Sequence, residues 1–210
     1  MGECATSGPS SRRVRPAYAW TVVAYDRLYR FVHHLDTPAS EVGPVLRLEV
    51  GRSLRRRRLP DGTLLRRGER IGLLHLNNAR LALLRAREPS LLSAGLALRR
   101  DFFASIRALA ALARDGGPLG GIPAFAATTI HHTQLRRLGF EPEPDGAVWP
   151  RLVALYQRAL LSSLHPGARL NRPAYRQARR LWLSRQALVT RFGGDARPGP
   201  GRWRSLPPAA

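Results

Sequence analysis

Residues 68–84, GERIGLLHLNNARLALL, constrain the fold more than any other stretch of the chain. A dense apolar run gives way to apolar residues at helical spacing, so the segment predicts a buried strand passing directly into a helix. The strand period puts Ile71, Leu73, His75 and Asn77 on one face and Leu74 and Leu76 on the other, so both faces are expected to be covered. Asn77 and Asn78 are good N-caps, and Leu81, Leu84 and Arg85 continue at helical spacing. At such a junction the imidazole of His75 would lie beside free helix N–H groups, a geometry suited to an anionic or carbonyl oxygen. The other reading is structural: an asparagine caps the helix and His75 is a satisfied, half-buried core residue.

Around this junction the pattern mixes helices and strands without regular alternation. Trp20, Ala24, Leu28, Phe31 and Leu35 predict an amphipathic helix over 18–35, with His33 and His34 at its tip. Residues 45–58 and 64–77 read as a β-hairpin turned by Pro60-Asp61-Gly62. In that register Leu59 opposes Thr63, and Arg55 and Arg56 fall opposite Arg67 and Arg66. Like charges facing across strands are unfavourable. Those four arginines either splay into solvent or present themselves to an anion. A short helix over 79–87 stops before Pro89, and Ser90 caps a longer one reaching 115, with Leu98, Phe102, Ile106, Leu109 and Ala113 inward. GGPLGG at 116–121 reads as a flexible connector. A strand over 122–130, a short helix over 131–138 closed by Gly139, and a strand at 140–142 follow. Then come a helix over 149–164 ending at His165-Pro166-Gly167, a strand at 181–183, and a last helix over 185–192 capped by Ser184. The expected class is α+β: a small mixed sheet with a hairpin, packed against amphipathic helices. Residues 1–15 and 194–210, rich in Gly, Pro and Arg, read as disordered tails around one domain over 16–193.

The formal charge of +21 suggests a polyanion or nucleic-acid partner. Yet all 35 basic residues are arginine and none is lysine, a bias that points to genome composition as much as to a binding face. The single cysteine, Cys4, excludes an intrachain disulfide and a thiolate metal cluster. Residues 18–32 are interrupted by Asp26, Arg27 and Arg30, too early for a span of about 20 apolar residues, and no signal peptide stands out. The default expectation is a soluble, cytoplasmic protein, with peripheral membrane association left open.

No G-x-S-x-G, H-E-x-x-H, C-x-x-C or P-loop pattern occurs, and the run at 116–121 follows a helix and lacks Lys-Ser or Lys-Thr. No metal and no cofactor is expected, and no catalytic residue can be assigned. The polar residues at the expected element ends are His75, Asn77, Thr128, Thr129, His131, His165, Ser184 and Arg185. If their strands share one sheet and one edge, these groups converge on a crevice that suits a polar, sugar-like or phosphate-bearing ligand. A second candidate group, for anions, is Arg55, Arg56, Arg66 and Arg67.

The segments LPDGTLLRRGERIGLLHLNNARL, TTIHHTQLRRLGFE, YQRALLSSLHP and LWLSRQALVTRFG resemble the bacterial YkoP-like domain family over about 20–193. Its most specific parts here are His75-x-Asn77, Thr128-Thr129 with Leu138-Gly139-Phe140, His165-Pro166 and Ser184-Arg185. Members of that family stand alone or are appended to polysaccharide deacetylases. The resemblance therefore implies an accessory role in cell-envelope polysaccharide metabolism, with a saccharide or a polysaccharide-modifying enzyme as partner. The deacetylase's own Asp-Asp pair and H-[ST]-x-x-H motif are absent from this sequence. A rival implication comes from ATTIHHTQLRRLGFEP, which looks like the late strand, helix and Gly-Phe segment of acetyltransferases of the GNAT type. That family needs a Gly-rich pyrophosphate turn from a strand into a helix, and none precedes this segment. A nucleic-acid binder is the third reading and rests on charge and the basic hairpin, without a series of surface aromatics.

Overall fold

A computed structural model describes residues 37–143 and 177–194, together with Phe31, Ala154, Gln157 and Arg158. The expected helices over 18–35 and 149–164, both tails and His165 otherwise lie outside the described residues.

A six-stranded mixed sheet carries the fold. Its strands are β1 (Glu41–Val42), β2 (Leu46–Arg52), β5 (Arg70–Leu76), β6 (Ala124–Thr129), β8 (Arg179–Ser184) and β7 (Glu141–Pro142), in that spatial order. A separate hairpin pairs β3 (Arg57–Arg58) with β4 (Leu64–Leu65). The described helices are α1 (Asn78–Arg87), α2 (Leu91–Leu112), α3 (His132–Arg137) and α4 (Arg185–Phe192). The pair β5 and β6 is parallel and the other described neighbours are antiparallel. A parallel pair needs a long crossover. Here α1 and α2 supply it.

The strand period sorts the sheet into two faces. Leu46, Leu48, Leu74, Phe125, Leu181 and Leu183 pack with Ile106, Leu109 and Ala110 of α2 and Leu188 of α4 into the main core. On the reverse face Ile71, Ala124, Ala126 and Trp182 are covered by Leu59 and Leu65 of the small hairpin. Where the hairpin lies the strands are thus buried on both faces, as the run of leucines predicts.

The long hairpin expected over 45–77 is broken in two. Leu59 does oppose Thr63, donating its N–H to the Thr63 carbonyl at 2.8 Å. The ladder then stops before the arginines. Gly68, at φ +82°, donates to Ser53 O at 2.7 Å, and Ser53 donates to Glu69 O at 2.8 Å. This pinch folds the tip back over the sheet and leaves Arg55, Arg56, Arg66 and Arg67 exposed, outside either ladder. Continuing the ladder would have set guanidinium against guanidinium, and the break removes that repulsion.

The glycine run at 116–121 is likewise a tight turn and no loose connector. Leu119 is fully buried and donates its N–H to Leu112 O at 3.0 Å. A Cβ on Gly117 would stand 2.4 Å from that same carbonyl, so only glycine lets the chain close over the end of α2. Local helix signals fared better. Ser90 and Ser93 form a reciprocal capping box for α2, Ser184 caps α4, and Gly139 follows α3 at φ +91°.

Candidate functional site

The direction of β8 decides which candidates meet. Because β5 and β6 run parallel, His75, Asn77, Thr128, Thr129 and His131 lie toward one end of the sheet. β8 is antiparallel to β6, with Ser184 beside Ala124 and Arg179 beside Thr129. Ser184 therefore sits roughly 16 Å along the strand from Thr129. Ser184 and Arg185 are at the opposite end, and the single crevice expected from shared strand ends does not form.

Each of these two has local partners. Ser184 is buried and its hydroxyl accepts the Ala187 N–H at 3.0 Å. Arg185 pairs with Asp115 at 2.5 Å. At the near end Asn77 is buried and caps α1, its Oδ1 accepting the Arg80 N–H at 3.3 Å. His75 turns away from the helix start: its Nε2 lies 3.1 Å from Glu49 Oε2. Thr129 belongs to the other face and its hydroxyl accepts the His131 N–H at 3.0 Å.

What the sheet does assemble is a transverse polar row on its reverse face. Glu41 is the register partner of Arg47, and Arg47 of His75. The parallel register Leu73 with Ala126, carried on by two residues, sets His75 beside Thr128, whose partner on β8 is Arg180. Five neighbouring strands thus each contribute one polar side chain to one line, at about 4.8 Å per paired strand, with a wider step between His75 and Thr128, where the β5–β6 ladder has ended. The hairpin covers the Ile71 and Ala124 end of this face and reaches the β8 end of the row through Arg57. Charges along the row are matched. Arg47 lies 3.5 Å from Glu41, His75 pairs with Glu49, and Glu143 pairs with Arg57 and accepts Trp182 Nε1–H at 3.3 Å. Arg57 and Arg180 stack over the Trp182 ring, their guanidinium carbons 5.2 Å and 4.8 Å from its centroid. Thr128 is exposed at the middle of the row.

The row also crosses a split in the sheet. The β5–β6 ladder ends at Leu74 with Ala127, although both strands continue for two residues. Arg185 N–H donates to Pro123 O from the β8 side at 2.8 Å, so the even-numbered residues of β6 turn their backbone toward β5. The groups freed there are taken by one side chain: Gln157 donates Nε2–H to Thr128 O at 2.7 Å and accepts the Ile130 N–H at 2.9 Å. Its amide stands in for a strand neighbour. Gln157→Ala leaves both groups without that partner, and a loss of about 1–3 kcal/mol is expected in urea unfolding. An unchanged midpoint would mean water replaces the amide at no cost.

His131 follows the split. Burial holds its pKa below the ordinary histidine value, and His132 beside it pushes the same way. The unfolded chain then takes up a proton at this position near pH 6.5 while the folded chain does not. Stability is expected to fall as pH drops below that value, and His131→Gln should flatten the decline. An identical pH profile for the variant would remove this assignment.

Sequence reasoning missed Arg47 and Arg180, which are hidden among many arginines, and Glu49, an isolated carboxylate within an apolar strand. Their signal was alternation: each lies on the same strand face as a residue that was singled out or paired with one. A hollow of about 450 Å³ opens near β7, lined by Pro60, Arg136 and Glu141 among others, and holds none of the sequence candidates. Among the described residues no helix is long and apolar enough to cross a membrane, and no group of three or more metal-ligating side chains gathers.

A sequence model of the YkoP domain matches residues 16–192. No curated protein and no solved structure matches the chain.

Proposed function

The chain belongs to the YkoP domain family, and from that premise we propose that it is an accessory binding domain for a neutral, hydroxyl-rich saccharide in bacterial cell-envelope polysaccharide metabolism, working beside a polysaccharide-modifying enzyme. The observation that carries this reading is the transverse row in which exposed Thr128 stands between half-buried His75 and Arg180, with Arg47 buried behind Glu41 and the carboxylates of Glu41, Glu49 and Glu143 balancing the charge. Such a strip offers donors and acceptors in alternation and little net charge. Sugar hydroxyls, which donate and accept at once, suit it better than a phosphate does.

The acyltransferase reading has one observation in its favour, a helix that starts just past β5. Two others oppose it. Asn77 fills with its own side chain the helix start where a Gly-rich turn would hold a pyrophosphate, and Gln157 occupies the split.

Calorimetric titration with neutral oligosaccharide fragments of envelope polymers tests the proposal. Binding is expected to weaken about tenfold, the worth of one or two hydrogen bonds, in His75→Ala and in Arg180→Ala, with the fold retained. Arg185→Ala, at the far end of the sheet, should bind as the parent does. No heat with glycans at millimolar concentration, together with a thermal shift on acetyl-coenzyme A, would replace this reading with the enzymatic one.

A further inference from the structure

The helix pair that crosses over from β5 to β6 has an outer surface that the core and the polar row do not use. On α2, Leu92 and Leu96 are 75% and 58% exposed, one turn apart. At about 100° per residue, Arg99, Phe103 and Arg107 continue the same stripe. Arg99 and Arg107 are exposed, and the Arg99 guanidinium lies 5.8 Å from the Phe103 ring centroid. The one carboxylate of α2, Asp101, is on the other side of the helix and is held by Arg100 Nε at 3.0 Å. On α1, Leu83 is 50% exposed, with Arg80 and Arg87 exposed on the same helix. Leucines standing out of a helix, flanked by arginines and free of acid, fit neither a solvated face nor a second copy of the same surface, which would set arginine against arginine.

The geometry points to the outward face of α1 and α2 as a docking surface for an anionic lipid bilayer. Both halves of the stripe are then used: the leucines enter the boundary between headgroups and acyl chains, and the arginines reach the lipid phosphates. The arginine stems can lie along the apolar layer while their ends stay at the headgroups. Charge complementarity selects this occupant. A neutral protein groove would accept the leucines and leave the guanidiniums facing nothing, and a nucleic acid would have no use for the leucines. The attachment is superficial and reversible, since each leucine buries only one side chain.

Co-sedimentation of the full chain with vesicles tests it. Vesicles containing about one third phosphatidylglycerol should bind at least tenfold more protein than pure phosphatidylcholine, with binding falling as salt rises. Leu92→Asp with Leu96→Asp should abolish most binding, and Arg99→Glu with Arg107→Glu should abolish the preference for anionic lipid. Leu54→Asp serves as control: Leu54 is 79% exposed but sits at the root of the hairpin, and its change should leave binding intact. Equal binding to both vesicle types overturns the proposal, and so does full binding by the leucine double variant. A fall of several degrees in its melting temperature without vesicles also overturns it, because the leucines would then be covered within the protein. Self-association in sedimentation equilibrium that the double variant removes would assign the face to a second copy instead.

Discussion

Gly72→Ala is expected to destabilise the protein by about 3 kcal/mol, although the glycine lies within a strand where alanine is ordinarily tolerated. Gly72 occupies the central strand β5 on the face toward the main core. A Cβ placed there would stand 2.3 Å from Cδ1 of Phe125 and 2.9 Å from Cδ1 of Leu48. Phe125 is fully buried and is the register partner of Gly72 across the parallel pair. Its ring lies over the bare backbone and fills the space a side chain would take. The ring cannot withdraw, because it is packed within the main core cluster. Alanine would therefore push β5 from β6, whose ladder is already confined to three register pairs. Gly51 gives the comparison. A Cβ there meets the Leu73 methyl at 2.9 Å, the far end of a side chain that can rotate, so Gly51→Ala should cost under about 1 kcal/mol. In Gly72→Ala with Phe125→Leu the combined loss should fall short of the sum by about 1 kcal/mol, since the smaller side chain yields to the new methyl. Strict additivity in urea titrations would show that the ring is not what excludes alanine.

The features legible in the sequence are those decided within a few residues. Ser90 and Ser184 announced helix starts, Gly139 a helix end, and the Pro60-Asp61-Gly62 turn fixed Leu59 against Thr63, because each rests on hydrogen bonds that local chain geometry dictates. The hairpin's break at Ser53 and Gly68 depends on bonds between residues 53 and 68–69, and the sequence held only a warning of it in the facing arginines. The candidate site failed on a single long-range fact. Whether Ser184 joins His75 or lies at the far end turns on the direction of β8, and neither sense leaves a trace in the composition of a six-residue strand. The polar row was hidden for a related reason. Arg47 and Arg180 become neighbours of His75 and Thr128 only through the pairing of four strands, and in a chain this rich in arginine neither stands out alone.

Gly43→Ala should produce the second large loss, about 2–4 kcal/mol, and it should reach the polar row. Gly43 turns the chain from β1 into β2 at φ +70°, a conformation that costs an alanine about 1 kcal/mol. Contact adds to this. A Cβ would lie 2.7 Å from the Cα of Ser105, in the backbone of α2, and 2.9 Å from its Oγ. That hydroxyl is committed: it accepts the Val45 N–H at 3.1 Å and donates to Asp101 O at 2.9 Å, and Ser105 is fully buried. The turn is thus pressed against the helix at a point where the Ser105 side chain fastens the start of β2 to α2. Pushing it away would break the Val45 bond and shift β1, which carries Glu41 to its place beside Arg47. Gly62 and Gly68 separate the two contributions, for both have positive φ and open space where a Cβ would go. Their alanine variants should lose only the strain. If Gly43→Ala proved no worse than Gly62→Ala, the close approach to Ser105 would carry no energy, and the argument that α2 sets the position of β1, and through it one end of the polar row, would fail with it.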